Sequence, residues 1–337
     1  MRLEFERVEW TFTEPQRTAH GMLRTRELIE VTLHDDEGRV GRGEAAPLES
    51  YDDVTIEAVA SALESFARVV ARRPAGAPRN LLDRCREVVD LPQALAAIDL
   101  AIWDLAGKRA ERPVCELLSD TPAAQVPVNA TIAASELGAA VSAARAAVAA
   151  GYDTVKLKVG FDDDLERVRA VREAIGPGAS LRLDANAAWS VEQAAALLDR
   201  LGEFALELVE EPVHGLEAMA DLRRRVPVRI ALDESAALPG ALTARVADAI
   251  CLKLARCGGI GGLLAAASLV RASGAEVYIA STYDGPLGIA AALHAAAALA
   301  PLPPCGLATL ELFSNAASPF PVRGGAIAVP RGPGLGV

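Results

Sequence analysis

From Val126 onward, short apolar runs alternate with Ala-rich helical segments along the chain. Successive runs begin about two dozen residues apart, which is the length of one strand-helix unit. Eight such units favour a closed barrel of parallel strands over an open, doubly wound sheet. The predicted strands are VPVNATI, TVKLKV, SLRLDA, LELVEE, VRIALDE, AICLKLA, EVYIAST and GLATLEL, which begin near residues 126, 154, 180, 206, 228, 249, 276 and 306.

The first part of the chain follows a different pattern. Residues 28–48 predict two antiparallel strands joined by an Asp-Glu-Gly turn, and a helix with apolar spacing follows them. Residues 91–118 predict a long helix with apolar residues at helical spacing. After the last predicted strand, the chain from Phe313 is rich in Pro and Gly, and we expect it to return to the N-terminal region.

Composition and charge argue against several classes of protein. The 337 residues are 51% hydrophobic, so the chain can fill a large core and is not expected to be disordered. The net charge is −11 and no basic run stands out, so nucleic acid is not an expected partner. The N-terminus lacks an apolar stretch of signal-peptide length, and the Ala-rich segments 134–150 and 289–300 are too short or too interrupted to span a bilayer. We therefore expect a cytoplasmic protein with no membrane partner.

The cysteines and histidines show no metal-binding spacing. The five cysteines form no CxxC pair and are predicted to be small core residues in a reducing compartment. They are Cys85, Cys115, Cys251, Cys257 and Cys305. We interpret His34 and His294 as ordinary surface or helix residues, whereas His20 and His214 are candidates to line a pocket.

Charged residues occupy the C-terminal ends of five successive predicted strands. Buried parallel strands are normally continuous apolar runs, and barrel active sites lie at the C-terminal face of the strands. Lys156 and Lys158 are two residues apart and should therefore point the same way. The next four runs carry Asp184, the pair Glu210 and Glu211, the pair Asp233 and Glu234, and Lys253. Any one of these could be a solvated loop residue, but together they predict one site.

Three carboxylates from neighbouring strands form an all-oxygen site, which suits a hard cation such as Mg²⁺. The lysines would flank that cation on opposite sides of the barrel. Burial and a nearby positive charge both disfavour the ammonium form, so such a lysine should have a lowered pKa. It can then act as a general base near neutral pH.

Five motifs, in this order and spacing, resemble the muconate-lactonizing subgroup of the enolase superfamily: VKLKVG, LRLDAN, LVEEP, ALDES and ICLKLARCGGIGG. AIDLAIWDLAGK also resembles the helix that leads into that family's barrel, so the resemblance covers nearly the whole chain. It implies an α/β fold, a modified (β/α)₇β TIM-like barrel with an α+β capping domain made from both chain ends. The implied parts are a capping domain at residues 1–95, the barrel at 96–312 and a C-terminal segment at 313–337 that returns to the cap.

The resemblance also implies the roles of the charged residues. The metal ligands, for Mg²⁺ or for Mn²⁺ in its place, would be Asp184, Glu210 and Asp233. Lys158 and Lys253 would be the acid/base pair, and Lys156 would add positive charge beside Lys158. The substrate would be a small-molecule carboxylate that loses a proton from the carbon next to the carboxylate and forms an enediolate.

Segments outside the barrel strands are expected to select among the reactions of the subgroup. Residues 41–55 and the segment RTAHGMLRTRELIEVTL resemble the corresponding parts of o-succinylbenzoate synthases. This resemblance places Arg17, Thr18 and His20 on a loop that would close over the substrate. Arg17 and His20 are therefore predicted to bind substrate.

The segment after the seventh predicted strand gives a second comparison. Residues 280–293 resemble the equivalent segment of o-succinylbenzoate synthases, so Ser281 and Asp284 are also predicted to bind substrate. Gly285 and Pro286 depart from the family pattern, which usually has small hydroxyl-bearing or similar residues there. Asp284 has two other interpretations: a carboxylate that holds the ammonium group of a dipeptide, or a simple turn former in Tyr-Asp-Gly-Pro.

These patterns support several functions. The first hypothesis is an o-succinylbenzoate synthase-like dehydration in menaquinone biosynthesis, in which Lys158 abstracts the α-proton and Lys253 supports the enediolate. The main alternative is epimerisation of a dipeptide or racemisation of an N-acylamino acid, with both lysines as bases. Muconate-type cycloisomerisation comes third, and a catalytically silent barrel kept as a binding or scaffold protein is the alternative from another class. A homo-oligomer is compatible with the sequence, although no residue pattern marks an interface.

Overall fold

The computed structural model describes residues 1–18, 21–72, 79–314 and 318–337. The N-terminal part contains an antiparallel sheet of β1 (Arg2–Thr18), β2 (Gly21–His34) and β3 (Val40–Ala45). The pairing of β2 with β3 confirms the hairpin predicted for residues 28–48. Asp35 closes its turn, because Oδ1 of Asp35 accepts the backbone N–H groups of Glu37 at 2.9 Å and Arg39 at 2.7 Å.

The helices that follow this sheet are α1 (Glu49–Asp52), α2 (Ile56–Ala71), α3 (Arg79–Val88), α4 (Pro92–Ala110) and α5 (Val114–Leu118). The side chain of Thr55 caps α2 by accepting the N–H of Ala58 at 3.1 Å. Val59, Phe66 and Val70 lie on one stripe of α2 and are buried against the sheet. We call the sheet and these helices the cap.

Helix α4 packs on β3 so closely that the strand requires glycine at two positions. A Cβ on Gly41 would collide with the carbonyl oxygen of Ala101, and a Cβ on Gly43 with that of Ala97. The two glycines of the GRGEA sequence therefore let the helix lie directly on the strand. The domain limit predicted between residues 95 and 96 falls inside α4, and the division into domains stays a prediction.

The first predicted barrel run divides into two short strands, β4 (Gln125–Pro127) and β5 (Ala130–Ile132). β5 begins a parallel sheet whose strands lie side by side in chain order. The remaining strands are β6 (Thr154–Lys158), β7 (Ser180–Asp184), β8 (Leu206–Glu210), β9 (Ile230–Leu232), β10 (Ala249–Leu252) and β11 (Glu276–Ile279). The helices that follow them are α6 (Leu137–Ala149), α7 (Asp164–Ile175), α8 (Val191–Leu201), α9 (Leu216–Arg225), α10 (Ile260–Ser273) and α11 (Pro286–Leu299). The predicted alternation of parallel strands and helices is confirmed.

A two-residue segment, Cys305 and Gly306, connects the two edges of the curled sheet. The N–H of Cys305 donates to the carbonyl oxygen of Pro127 at 2.8 Å on one side. The N–H of Gly306 donates to the carbonyl oxygen of Ile279 at 2.8 Å on the other side. These bonds complete a ring of parallel backbone segments, with Cys305 and Gly306 between β11 and the start of β5.

The prediction of an eighth strand, GLATLEL from residue 306, is wrong for the residues after Gly306. The chain turns after Gly306, and Leu310–Leu312 forms a 3₁₀ helix. The turn brings the hydroxyl of Thr309 within 2.8 Å of the hydroxyl of Ser281. Because the chain bends towards the end of the barrel, it leaves the sheet before a regular strand can form.

The C-terminal part contacts both the cap and the barrel. β12 (Val322–Arg323) and β13 (Ala326–Ala328) form a hairpin that pairs with β4. Phe313 stacks on Phe12 of β1, with ring centroids 4.6 Å apart. The N–H of Leu335 donates to Asp104 of α4 at 2.8 Å. The residues after the barrel thus contact β1 and α4.

Two hydrophobic clusters form the interior. The larger surrounds the barrel sheet and includes Leu157, Leu183 and Val209 from neighbouring strands. The smaller lies between the cap sheet and its helices and includes Phe66 and Ile98. Within the described part of the chain, no helix combines the length and the apolar character needed to cross a membrane.

The cysteines and His294 belong to this interior. All five cysteines are free, and all but the partly buried Cys257 are fully buried, which confirms them as small packing residues. His294 lies in α11, where Nδ1 accepts the N–H of Cys115 at 3.2 Å. Burial lowers the pKa of His294 to about 4. His294 is therefore a core helix residue and not a surface one.

Candidate active site

Three neighbouring strands bring the predicted charges together at one end of the barrel. The register places Lys158 of β6 beside Asp184 of β7, and Asp184 beside Glu210 of β8. Nζ of Lys156 lies 2.9 Å from Oδ2 of Asp184 and 2.9 Å from Oε1 of Glu210. Nζ of Lys158 lies 2.8 Å from the same Oδ2 of Asp184. The prediction that Lys156 and Lys158 point the same way is confirmed.

The other half of the site comes from residues that follow β9 and β10. Nζ of Lys253 lies 3.0 Å from the carboxylate of Asp233. The hydroxyl of Tyr51, from α1 of the cap, donates to Oδ1 of Asp233 at 2.6 Å. The hydroxyl of Tyr278, from β11, donates to Oε2 of Glu210 at 2.6 Å. Neither tyrosine was predicted for the site from the sequence; Tyr278 lies in the buried part of β11, between Val277 and Ile279.

The charges of this site are almost completely buried. Asp184, Glu210 and Asp233 are exposed by at most 4%. Burial alone would raise the pKa of Asp184, but Lys156 and Lys158 outweigh it and lower that pKa. Burial alone would lower the pKa of Lys253, but Asp233 outweighs it and raises that pKa. The protein groups by themselves therefore raise the pKa of Lys253, which is opposite to the lowering expected beside a divalent cation.

The second acidic residue of each Glu-Glu and Asp-Glu pair supports the strand ends. Glu211 accepts the N–H groups of Asp233 at 2.8 Å and Ser235 at 3.0 Å. Glu234 accepts the side-chain amide N–H of Asn186 at 2.8 Å, and the amide oxygen of Asn186 accepts from Nζ of Lys158. Glu211 and Glu234 thus orient the loop and the lysine next to the central carboxylates.

Two of the three central carboxylates, those of Glu210 and Asp233, lie at a spacing that suits a metal ion. Asp184 and Glu210 share Lys156 as a neighbour, and Glu210, Asp233 and Cys251 offer ligand atoms within 4.8 Å of one another. A buried set of carboxylates at such spacing needs positive charge, which here comes from lysines and could come from a metal ion. Cys251 was predicted only as a core residue, and its Sγ lies 3.7 Å from Nζ of Lys253.

A cavity of about 160 Å³ lies against this charged centre. Lys156, Lys158, Asp233 and Lys253 line it together with Tyr51. Among the described residues, the other polar side chains of its lining carry hydroxyl or amide groups and are those of Gln16, Thr18, Asn129, Thr131, Asn186, Ser281, Thr282, Tyr283 and Thr309. A small substrate in this cavity can therefore contact both Lys158 and Lys253.

The residues predicted to bind substrate differ in their position relative to the cavity. Ser281 lines the cavity. Asp284 is not among the described lining residues; it is buried, and its Oδ1 accepts the N–H of Thr282 at 3.2 Å and the hydroxyl of Thr282 at 3.0 Å. Arg17 belongs to β1, but its side chain, like the whole of His20, lies outside the described residues. The substrate-binding roles of Asp284, Arg17 and His20 therefore stay predictions.

His214 is the other histidine that was a candidate to line the pocket. It is not among the described residues that line this cavity. Its side chain is 64% exposed, and its Nδ1 lies 3.7 Å from Glu211. A position four residues after Glu210 therefore places it outside the site, because the chain leaves the barrel mouth after β8.

Two family models match the chain. The N-terminal domain of the mandelate racemase / muconate lactonizing enzyme family matches residues 2–119, and the enolase C-terminal domain-like model matches residues 139–337. The chain belongs to the enolase superfamily, in its muconate-lactonizing subgroup. This confirms the family resemblance of the barrel motifs.

Curated relatives of this enolase-superfamily chain include two epimerases matched over most of their length. The hydrophobic dipeptide epimerase of Enterococcus faecalis is 33% identical, over 87% of this chain and 84% of its own. The L-Ala-D/L-Glu epimerase of Bacillus subtilis is 29% identical, over 100% of this chain and 96% of its own. The o-succinylbenzoate synthase of Thermobifida fusca is 40% identical, but the match covers only 56% of this chain and 61% of that protein.

Solved structures of the same two epimerases resemble this chain throughout. The Enterococcus faecalis dipeptide epimerase, complexed with Mg and the dipeptide L-Leu-L-Tyr, has a TM-score of 0.91 and 29% identity, and the match covers 99% of this chain and 98% of the other. The substrate-liganded Bacillus subtilis enzyme has a TM-score of 0.92 and 26% identity, covering 100% and 98%. Our first hypothesis was a synthase-like dehydration, but the match to a synthase covers a smaller part of the chain than the matches to the epimerases. The comparisons therefore favour the epimerase alternative.

Proposed function

We propose that this protein is a Mg²⁺-dependent epimerase that inverts the configuration of the carbon next to a carboxylate, with a dipeptide as substrate. The main support is the opposition of Lys158 and Lys253. Lys158 ends β6 and Lys253 follows β10, and three backbone segments separate these strands on either side of the ring. Both lysines line the same cavity, so their ammonium groups approach it from opposite walls.

Inversion at a carbon atom needs this opposition. One group must remove the α-proton from one face, and another must return a proton to the other face. In one direction Lys158, as the neutral amine, takes the proton, and Lys253, as the ammonium ion, supplies one. In the other direction the two lysines exchange roles. Lys156, which lies between Asp184 and Glu210, adds positive charge to the lining of the cavity.

We assign the metal to the three central carboxylates, Asp184, Glu210 and Asp233. When bound, Mg²⁺ stabilises the negative charge that develops on the substrate carboxylate as the α-proton leaves. The protein itself orients two of these ligands, because Tyr278 holds Glu210 and Tyr51 holds Asp233 through hydrogen bonds of 2.6 Å. We name Mg²⁺ because a similar epimerase structure is complexed with Mg, while Mn²⁺ as a substitute stays a prediction.

The lining of the cavity supports a second candidate, racemisation of an N-acylamino acid. A free dipeptide carries an ammonium group, which binds best to a fixed carboxylate. Among the described residues that line the cavity, the only carboxylate is that of Asp233, which we assign to the metal. Hydroxyl and amide groups such as those of Asn129, Thr131 and Thr309 suit the uncharged amide of an N-acyl group.

Isotope exchange distinguishes these reactions. The protein with Mg²⁺ is incubated in deuterated water with a dipeptide set and, separately, with N-acetylated amino acids. We expect deuterium to enter the α-position and the configuration to invert in one of the two substrate classes. Dehydration of the cyclohexadiene precursor of o-succinylbenzoate, with no exchange in either class, would instead establish the synthase and end the epimerase proposal.

A further inference from the structure

Glu44 lies on β3 of the cap, but its carboxyl group reaches the first turn of a barrel helix. Oε1 of Glu44 accepts the N–H of Gly285 at 2.7 Å, and the N–H of Gly288 also donates to this carboxyl group. Gly285 is the N-cap residue of α11 and has no side chain that could cap the helix. Glu44, which is 3% exposed, supplies the missing cap from a distant part of the chain.

Two glycines make room for this carboxyl group. A Cβ on Gly285 would collide with Oε2 of Glu44, and a Cβ on Gly288 would lie 2.7 Å from Oε1. The φ of Gly285 is −77°, which any residue can adopt, so the backbone conformation does not require glycine. The position of Glu44 therefore accounts for the departure from the family pattern at Gly285.

Arg26 of β2 holds the same segment from its other end. Nε of Arg26 donates to the carbonyl oxygen of Thr282 at 3.1 Å, and its terminal nitrogens donate to carbonyl oxygens of the cap, including Ala46 at 2.9 Å. Two buried side chains of the cap thus hold the segment from Thr282 to Gly285. Because Ser281, Thr282 and Tyr283 line the catalytic cavity, the cap fixes one wall of that cavity.

The charges around Glu44 do not balance if every acid is ionised. Arg26 is the buried cation of the group, whereas Glu44 and Asp284 are both buried acids. Glu30 of β2 adds negative charge but is itself paired with Arg42 at 2.7 Å, and Lys253 of the barrel acts on Asp284. Oε2 of Glu44 has no hydrogen-bond partner among the residues that the structure describes. Burial, assisted by Asp284, raises the pKa of Glu44 to about 8, so this carboxyl group retains its proton at neutral pH.

We propose that Glu44 is a positioning residue: in its protonated form it fastens the cap to the segment from Thr282 to Gly285, and its ionisation loosens this wall of the cavity. The effect on turnover rests on the proposed epimerase function. The contact between the cap and this segment does not depend on that function, and its contribution can be measured as a change in the stability of the fold.

The direction of the stability effect follows from the raised pKa. The folded state binds the Glu44 proton more tightly than the unfolded state, because the pKa is about 8 in the fold against an ordinary value of 4.5. The contribution of Glu44 to stability is therefore complete below pH 4.5 and is lost progressively as the pH rises to about 8. Glu44→Gln keeps an acceptor for Gly285 and cannot ionise, so it escapes this loss.

The experiment compares melting temperatures across that pH range for the wild type, Glu44→Gln, Asp284→Asn and Glu87→Gln. Glu87 is an exposed glutamate of α3, so Glu87→Gln makes the same charge change without the buried contact. We expect Glu44→Gln to gain stability relative to the wild type as the pH rises from 4.5 to about 8, while Glu87→Gln follows the wild type. Asp284→Asn should lower the pKa of Glu44 in the folded state, because a nearby negative charge is removed, so the loss of stability should end at a lower pH than in the wild type. A difference between wild type and Glu44→Gln that does not vary with pH would overturn the proposal.

The activity measurement is the second arm. With an active substrate, Glu44→Gln should keep wild-type kcat/KM at neutral pH and retain it at alkaline pH, where the wild type declines as Glu44 ionises. Glu44→Ala, which removes the contact altogether, should lower kcat/KM at every pH. If no substrate is turned over, the proposed function fails while the stability arm still decides the role of Glu44. If the alkaline decline persists unchanged in Glu44→Gln, Glu44 does not control the wall.

Discussion

The hydroxyl of Tyr51 in the cap donates a 2.6 Å hydrogen bond to Asp233 at the mouth of the barrel. Arg256 packs over the ring of Tyr51 at 3.7 Å, and its Nε donates to Asp52 at 2.8 Å. The cap therefore contacts a proposed metal ligand directly and is held there by an ion pair and a cation–π contact. Formation of the site depends on how the cap and barrel pack together.

Removal of the Tyr51 hydroxyl should weaken metal binding. Tyr51→Phe keeps the ring but leaves Asp233 without this donor, and loss of a hydrogen bond that orients a metal ligand costs about 10- to 100-fold in affinity. Titration calorimetry with Mg²⁺ measures this change. Tyr152→Phe is the matched control, since Tyr152 does not line the catalytic cavity in the described residues. Equal Mg²⁺ affinity in Tyr51→Phe and wild type would show that the contact does not orient the ligand.

The two lysines should show opposite stereochemical preferences. Lys158→Ala should abolish α-proton exchange from one epimer and Lys253→Ala from the other, because each lysine faces one side of the substrate carbon. The loss should be about 10²- to 10⁴-fold, the usual contribution of a general base. Proton NMR of each pure epimer in deuterated water measures the exchange.

Two further variants test the base assignment. Lys158→Arg should not restore exchange, because a guanidinium group does not act as a base near neutral pH. Lys108→Arg, on α4 and paired with Asp104, should leave exchange unchanged. Undiminished exchange from both epimers in Lys158→Ala would mean that another group is the base.

The regular strands made the charged centre predictable from the sequence. Side chains alternate along an extended strand, so Lys156 and Lys158 had to share one face, and both contact Asp184. The C-terminal ends of parallel strands meet at one face, so Glu210 and Asp233 had to join them. Both rules depend only on the backbone geometry of strands, and the apolar runs in the sequence predict where the strands are.

The same rules could not place residues outside regular strands. Between Ser281 and Asp284 the chain turns at Tyr283, whose φ is +60°, so spacing along the sequence no longer tells which way Asp284 points. Tyr51 reaches Asp233 across 182 residues of sequence, and only the packing of the cap on the barrel reveals that contact. Tyr278 looks like an ordinary strand aromatic until β11 is placed in the ring beside β10.

Metal removal should abolish activity reversibly. Asp184→Asn, Glu210→Gln and Asp233→Asn each remove one of the negative charges assigned to the cation, so each should weaken Mg²⁺ binding. Calorimetry measures the affinity, and the rise in melting temperature on addition of Mg²⁺ gives a second, activity-independent measure. Glu217→Gln, an exposed position on α9, is the control. Full activity in a metal-free preparation would exclude the metal-dependent mechanism.

A side chain at position 285 should destabilise the fold mainly because of Glu44, although its Cβ would also lie 3.0 Å from Cδ1 of Leu28. Gly285→Ser brings this chain closer to the family pattern, but its Cβ would run into Oε2 of Glu44, and such overpacking costs about 1–3 kcal/mol. Gly178→Ser is the matched control, since a Cβ there meets nothing within 4 Å. Denaturant unfolding measures the free energy of unfolding of both variants.

If Glu44 is the cause, the double variant Gly285→Ser with Glu44→Ala should lose less stability than the sum of the two single changes, because the clash exists only when both side chains are present. Strict additivity would place the cost of Gly285→Ser elsewhere and remove the explanation given for this departure from the family pattern.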